Sequence, residues 1–100
     1  MIPSAYVDAI AQRVLTLFLL SQGWEPSAEC DVRDYDCHRT WTVSACVPPD
    51  TEIEALKMHF NEYLGYHNAC LTAVKFGFYG CTVYPCSHCR GKHLYLSIYQ

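Results

Sequence analysis

Acidic residues stop at Glu62. All ten lie between Asp8 and Glu62, and residues 63–100 carry only Lys75, Arg90 and Lys92, a formal +3. Residues 1–62 set the ten acids against Arg13, Arg33, Arg39 and Lys57, a formal −6. This unevenness bears on what the protein meets rather than on how it folds. Charge of either sign is sparse, at 17% of 100 residues against 51% apolar. Some apolar surface is therefore left for a partner or a second copy to cover. No apolar run is long enough for a transmembrane helix. Repeats, low-complexity tracts and long linkers are absent, so residues 1–100 read as one domain. Several catalytic signatures are missing as well: Gly-x-Ser-x-Gly, a phosphate-binding glycine loop and His-Glu-x-x-His. His59 and Glu62 lie one helical turn apart, which fits solvated surface better than an acid–base couple. The expectation is that the protein is not an enzyme.

What the chain does have is cysteine, seven in all. An odd count fits a reducing compartment better than a disulfide framework. Residues 14–20 have the apolar character of a short export h-region, but Asp8 offsets Arg13 ahead of them, and a cytoplasmic location is expected.

Residues 4–22 place Val7, Ile10, Ala11, Val14, Leu17 and Phe18 at helical spacing, with Ser4 as cap and Gly23 as stop. This phase buries Leu17 and Phe18 and leaves Leu19 and Leu20 on the flanks. Pro26 breaks the connection that follows. Residues 29–33 read as a short strand and 34–36 as a turn. From Arg39 to Val47 the alternation is strict, with Trp41, Val43, Ala45 and Val47 on one face and Thr40, Thr42, Ser44 and Cys46 on the other. Thr51 and Glu54 have capping-box spacing ahead of a helix whose stripe is Ile53, Leu56, Phe60, Tyr63 and Leu64, stopped by Gly65. Residues 69–79 fit a strand or, alternatively, a short helix capped by Asn68. Cys81–Tyr84 and Lys92–Tyr99 form a hairpin. The order α-β-β-α-β-β predicts an α+β fold: two helices on an antiparallel sheet of about four strands.

The hairpin turn concentrates chemistry. Cys86-x-x-Cys89 offers two sulfurs from one tight turn to one metal ion, and a structural zinc needs four ligands. His93, His88 and Cys81 are candidates for the third, and Cys30, Cys37 or His38 for the fourth; the set taken forward is Cys86, Cys89, His93 and Cys37. Cys46 and Cys70, each alone in its segment, are expected to be buried free thiols. A strand pattern follows Cys89, whereas a redox Cys-x-x-Cys opens a helix. Residues 85–93, with Gly91 after Cys89, resemble the zinc knuckle of zinc-ribbon families, although Arg90 stands where the knuckle has its glycine and no second Cys-x-x-Cys exists. The resemblance implies a zinc-bound hairpin.

Two recognition surfaces are in view. Asp31, Asp34 and Asp36, with Glu54 and Glu62, can steer onto a basic protein surface. In size and charge, though in no motif, the chain resembles small phage-encoded inhibitors of host machinery, anti-CRISPR proteins among them, which implies a viral, non-catalytic binder. The other surface is the hairpin tip. Arg90, Lys92 and His88 suit phosphates, and the nearby tyrosines suit bases. Residues 75–78, Lys-Phe-Gly-Phe, bear a faint similarity to the aromatic motif of RNA-recognition domains. The expected partner is a protein, with nucleic acid as the alternative and no membrane.

Overall fold

A computed structural model describes residues 3–70 and 74–100. Its elements run α1 (Ser4–Ser21), β1 (Asp31–Asp34), β2 (Arg39–Val47), α2 (Ile53–Ala69), β3 (Gly77–Pro85) and β4 (Lys92–Tyr99). This is the expected α+β order. The strands form one antiparallel sheet in the order β1-β2-β4-β3. Alternation decides which face is covered. Trp41, Val43, Ala45 and Val47 of β2 and Leu94, Leu96 and Ile98 of β4 are buried on one face. There α1 lies across β2 and β4, and α2 lies across β3. Phe18, Phe60, Phe78 and the pair Trp41–Phe76 interlock edge to face, at centroid separations of 4.8–5.8 Å. Among the described residues, no helix lies on the opposite face.

The core of α1 differs in phase from the sequence expectation. Phe18 is buried, but Leu15 and Leu19 are buried with it and Leu17 is 45% exposed. At about 100° per residue, Leu15 and Leu19 fall within roughly 80° of Ala11, while Leu17 and Leu20 lie roughly 120° and 180° away. Gly23 does end the helix: with φ at +86° it lets its own N–H reach the Leu20 carbonyl and the Trp24 N–H reach that of Leu19. Ser4 makes no side-chain cap.

Helix α2 buries Leu56, Phe60 and Leu64, with Ile53 and Tyr63 half-buried, as its stripe predicts. Its ends differ. The Thr51 hydroxyl donates back to the Pro48 carbonyl at 2.7 Å and does not cap the helix. Gly65 does not stop it, because the last turn is tied to the segment beyond. Asn68 clasps Phe76 with both halves of its amide, at 2.7 and 3.0 Å, and His67 Nε2 lies 3.2 Å from the Val74 carbonyl. Residues 71–73, part of the segment that reads as strand or short helix, lie outside the described residues. Residues 74–76 are irregular, and β3 starts only at Gly77. The first strand begins at Asp31 rather than Glu29. Among the described residues, no helix is long and apolar enough to cross a membrane.

Candidate metal centre

The register of β2 and β4 sets Cys46 directly opposite His93, with both side chains on the open face of the sheet. The β3–β4 turn begins at the same level, where Tyr84 pairs with His93 and Pro85 with Lys92. Gly91 lets that turn press onto the end of β2: a Cβ there would collide with the Val47 carbonyl oxygen. The Cys86 N–H donates to the Gly91 carbonyl at 3.3 Å and closes the turn. The turn thus carries Cys86 and Cys89 up to Cys46, and the three sulfurs lie within 4.8 Å of one another. Three cysteines that close can bind a metal ion.

The electrostatics divide the cluster. Cys86 is lowered to about 6, first by the backbone N–H of His88, then by that of Cys89 and by the neighbouring thiols. Cys46 is raised to about 11, chiefly through its contact with Cys86, 3.7 Å away, and then Cys89. The turn's N–H groups therefore favour the thiolate at Cys86, and the neighbouring thiols favour the thiol at Cys46.

None of the seven cysteines is in a disulfide. Cys46 and Cys70, expected to be buried, are exposed. Strand alternation turns Cys46 away from the core, beside Thr42 and Ser44. Burial raises the thiol of Cys81, which points into the core, and pushes that of Cys30 up to about 11. Cys37 lies before the far end of β2. From Arg39 to Cys46 the strand rises roughly 23 Å at about 3.3 Å per residue, so Cys37 stands apart from Cys86 and Cys89. Cys46, not Cys37, occupies the place in the cluster that the sequence reading gave to Cys37. The signal was there in the alternation, since Cys46 ends the polar face of β2, but nothing in the sequence said which strand would neighbour the turn.

The open face continues from this cluster as a trough of about 750 Å³, lined among others by Tyr79, Tyr84, Tyr95, Thr42, Thr82 and Ser97. Thr42 and Ser97 share a hydrogen bond of 2.6 Å across β2 and β4. His93 packs edge-on to Tyr95 at 5.0 Å, and Tyr95 to Tyr84 at 5.9 Å. His88 lines the trough, Arg90 follows Cys89 in the turn, and Lys92 opens β4 opposite Val47, in step with the buried Leu94 rather than with His93.

The acidic candidates separate into two groups. Asp31, Asp34 and Asp36 lie on and just after β1, at one edge of the sheet, where Asp31 pairs with Arg33 at 2.9 Å and Asp34 with Arg39 at 2.5 Å. Glu54 and Glu62 are exposed on α2, which covers the other edge strand, and Glu54 faces Lys57 at 3.4 Å. The chain matches no family model, no curated protein and no solved structure.

Proposed function

We propose that the chain is a non-enzymatic protein-interaction module, stapled at its tip by one zinc ion on Cys46, Cys86 and Cys89. It receives a basic partner surface on the open sheet face and the acidic β1 edge beside it. The observation that carries this reading is the uncovered face itself. Tyr79, Tyr84, Tyr95 and Tyr99 are each 40–57% exposed there, interleaved with Thr42, Thr82 and Ser97. Tyrosine with small hydroxyl residues gives large rigid contact area and adaptable hydrogen bonding, the chemistry of protein-binding surfaces. Asp31 lines the trough, and Asp34 and Asp36 follow it on the same edge, which favours a basic partner. Three thiolates on one zinc are the donor chemistry of a structural site. A reducing, cytoplasmic setting suits such thiolates. A basic surface of this kind often holds nucleic acid, so occupying it would make the protein an inhibitor in the manner of the small phage-encoded binders.

A second reading is favoured by the tip. His88 lines the trough with Tyr84 and Tyr95, and Arg90 and Lys92 lie within four residues of it in a half of the chain without acids, so single-stranded nucleic acid is the alternative occupant. One experiment separates the two. The protein is immobilised, exposed to host extract with and without nuclease, and eluted across a salt series. The protein reading expects capture of a basic protein that survives nuclease, weakens as salt rises, and is lost with Tyr84→Ala and Tyr95→Ala. Capture that nuclease abolishes and that Arg90→Ala and Lys92→Ala weaken would replace it with the nucleic-acid reading.

A further inference from the structure

The tip cluster has three sulfurs from two segments, and a closed zinc site needs a fourth donor. We infer that His93, through Nδ1, is that donor, so that β2, the turn and β4 are locked by one tetrahedral Cys3His centre. The inference rests on the zinc reading above and completes it.

Two edges of a tetrahedron are already in place. With zinc–sulfur bonds of about 2.3 Å and zinc–nitrogen bonds of about 2.0–2.1 Å, two thiolates on one ion stand about 3.8 Å apart, and a thiolate and an imidazole nitrogen about 3.6 Å apart. Cys46 Sγ lies 3.7 Å from Cys86 Sγ and 3.6 Å from His93 Nδ1. Both separations match edges that share the Cys46 corner; the imidazole does not yet lie within 4.8 Å of all three sulfurs, so the ring turns in toward Cys86 and Cys89 as the ion binds. Nor is the histidine there by chance of side-chain reach. Cys46 and His93 are cross-strand partners on one face, and the half-buried imidazole is held edge-on by Tyr95.

Rival donors are placed elsewhere. Cys81 is buried on the opposite face of the sheet, Cys37 belongs to the other end of β2, and His88 is exposed with its Nδ1 turned to the Ser87 hydroxyl at 3.4 Å. Ligation through Nδ1 has a consequence for the trough, which His93 also lines. It fixes the tautomer and leaves Nε2–H as a hydrogen-bond donor. The centre would then carry a formal charge of −1, from Zn²⁺ and three thiolates, next in the turn to Arg90. It would also leave no coordination position for water, so the metal holds the tip and does no hydrolytic chemistry.

The test uses the full chain, with zinc affinity measured by chelator competition and the coordination read from the cobalt-substituted protein. The native protein should bind one zinc and, with cobalt, give the intense visible band of a four-coordinate site with thiolate charge transfer. His93→Ala should weaken zinc by on the order of a hundredfold or more, since loss of even an outer-shell partner costs ten- to a hundredfold. His93→Cys should keep a tetrahedral site and add thiolate charge transfer, and His88→Ala should change neither affinity nor spectrum. As a check on the unaltered protein, nitrogen NMR of the imidazoles should show His93 in the tautomer protonated at Nε2 once zinc is added. If Cys86→Ser abolishes zinc while His93→Ala leaves affinity and cobalt spectrum as in the native protein, His93 is not the ligand, although the three-thiolate staple stands. If His88→Ala gives the loss instead, the fourth ligand is His88. If the native protein binds no zinc at all, the inference and the zinc reading fall together.

Discussion

Both ends of β2 carry a cysteine in contact with a histidine, and the two pairs differ in what surrounds them. At the far end, Cys37 Sγ lies 3.2 Å from Nδ1 of its own neighbour, His38. That pair is local in sequence. His38 is stacked on Tyr35 at 5.0 Å and flanked by Tyr99 and Tyr79 at 5.7 and 5.8 Å, and its Nε2 is buried with no hydrogen-bond partner among the described residues. At the tip, Cys46 Sγ lies 3.6 Å from His93 Nδ1, a residue 47 positions away, and two further thiols converge on the same point. A sulfur–imidazole contact alone does not make a metal centre. Convergence of donors from separate segments can, because each strand fixes the position of its donor before an ion arrives. The far end spends its histidine on packing among aromatic rings, and its charges on a relay from Trp41 through Asp8 and Arg39 to Asp34.

The largest effect that sharpens this contrast is metal removal. Where free zinc exceeds its dissociation constant about a thousandfold, it stabilises the fold by about 4 kcal/mol through mass action. Chelation should remove that stability, read as a lower midpoint in urea, and Cys86→Ser or Cys46→Ser should make the protein insensitive to chelator. If chelator shifts the midpoint of native protein by nothing, the two ends of β2 are alike and the cluster is a set of free thiols.

The next effect is chemical reactivity in the metal-free protein. At pH 7 a thiol near 6 is mostly thiolate, while Cys30, near 11, is almost wholly protonated. Lower intrinsic nucleophilicity of the more acidic thiolate offsets part of this, leaving Cys86 faster than Cys30 by on the order of a hundredfold. Alkylation of Cys86 should rise as pH climbs through about 6 and level off above it; zinc should suppress it. Peptide mapping of the alkylated sites checks both. Equal rates at the two positions would mean that the turn's backbone N–H groups do not support a thiolate.

The reach of the sequence follows the range of the interactions. The strands of β2 and β4 were legible because alternation is a two-residue pattern, and so was the Cys86–Cys89 turn, whose donors are three residues apart. Cys46 was not, because its role depends on β2 and β4 being neighbours with Cys46 opposite His93, a pairing that no local pattern encodes. The acidic residues show the same limit. Asp31 and Glu54 carry the same charge in sequence, but one sits at the sheet edge and the other on the helix over the opposite edge. The phase of α1 at Leu17 escapes the sequence for a different reason: four consecutive apolar residues, Leu17–Leu20, leave the stripe's direction undetermined until the sheet supplies a face.

A smaller effect belongs to the far end. Asp8 accepts from the Trp41 indole N–H at 2.8 Å and from Arg39 at 3.1 Å. Trp41 is almost wholly buried, so Asp8→Ala strands its donor, at a cost of about 1–3 kcal/mol. Denaturant unfolding should show that loss with zinc binding unchanged. A loss of zinc affinity would mean that the two ends of β2 are coupled along the strand.

The smallest effect is the one that most directly tests the comparison. Cys37 is exposed, is in no disulfide, and its hydrogen-bond contact among the described residues is with an imidazole that the tyrosine neighbours already hold. Replacing sulfur by oxygen there removes one weak hydrogen bond and buries nothing new. Cys37→Ser should therefore stay within about 0.5 kcal/mol of native stability, the range of surface substitutions away from special features. Zinc stoichiometry and chelator response should also match the native protein, in contrast to Cys46→Ser, although the two cysteines sit on or beside the same strand and each touches a histidine. The measurement is a paired one, with both serine variants titrated with zinc under one set of conditions. A Cys37→Ser variant that loses zinc would place the fourth donor at the wrong end of the strand and require Cys37 to reach the tip. The roughly 23 Å of strand between Arg39 and Cys46 forbids that within one chain, so the donor would have to come from a second copy. Stoichiometry and mass in solution would then show zinc shared between two chains rather than one ion per chain.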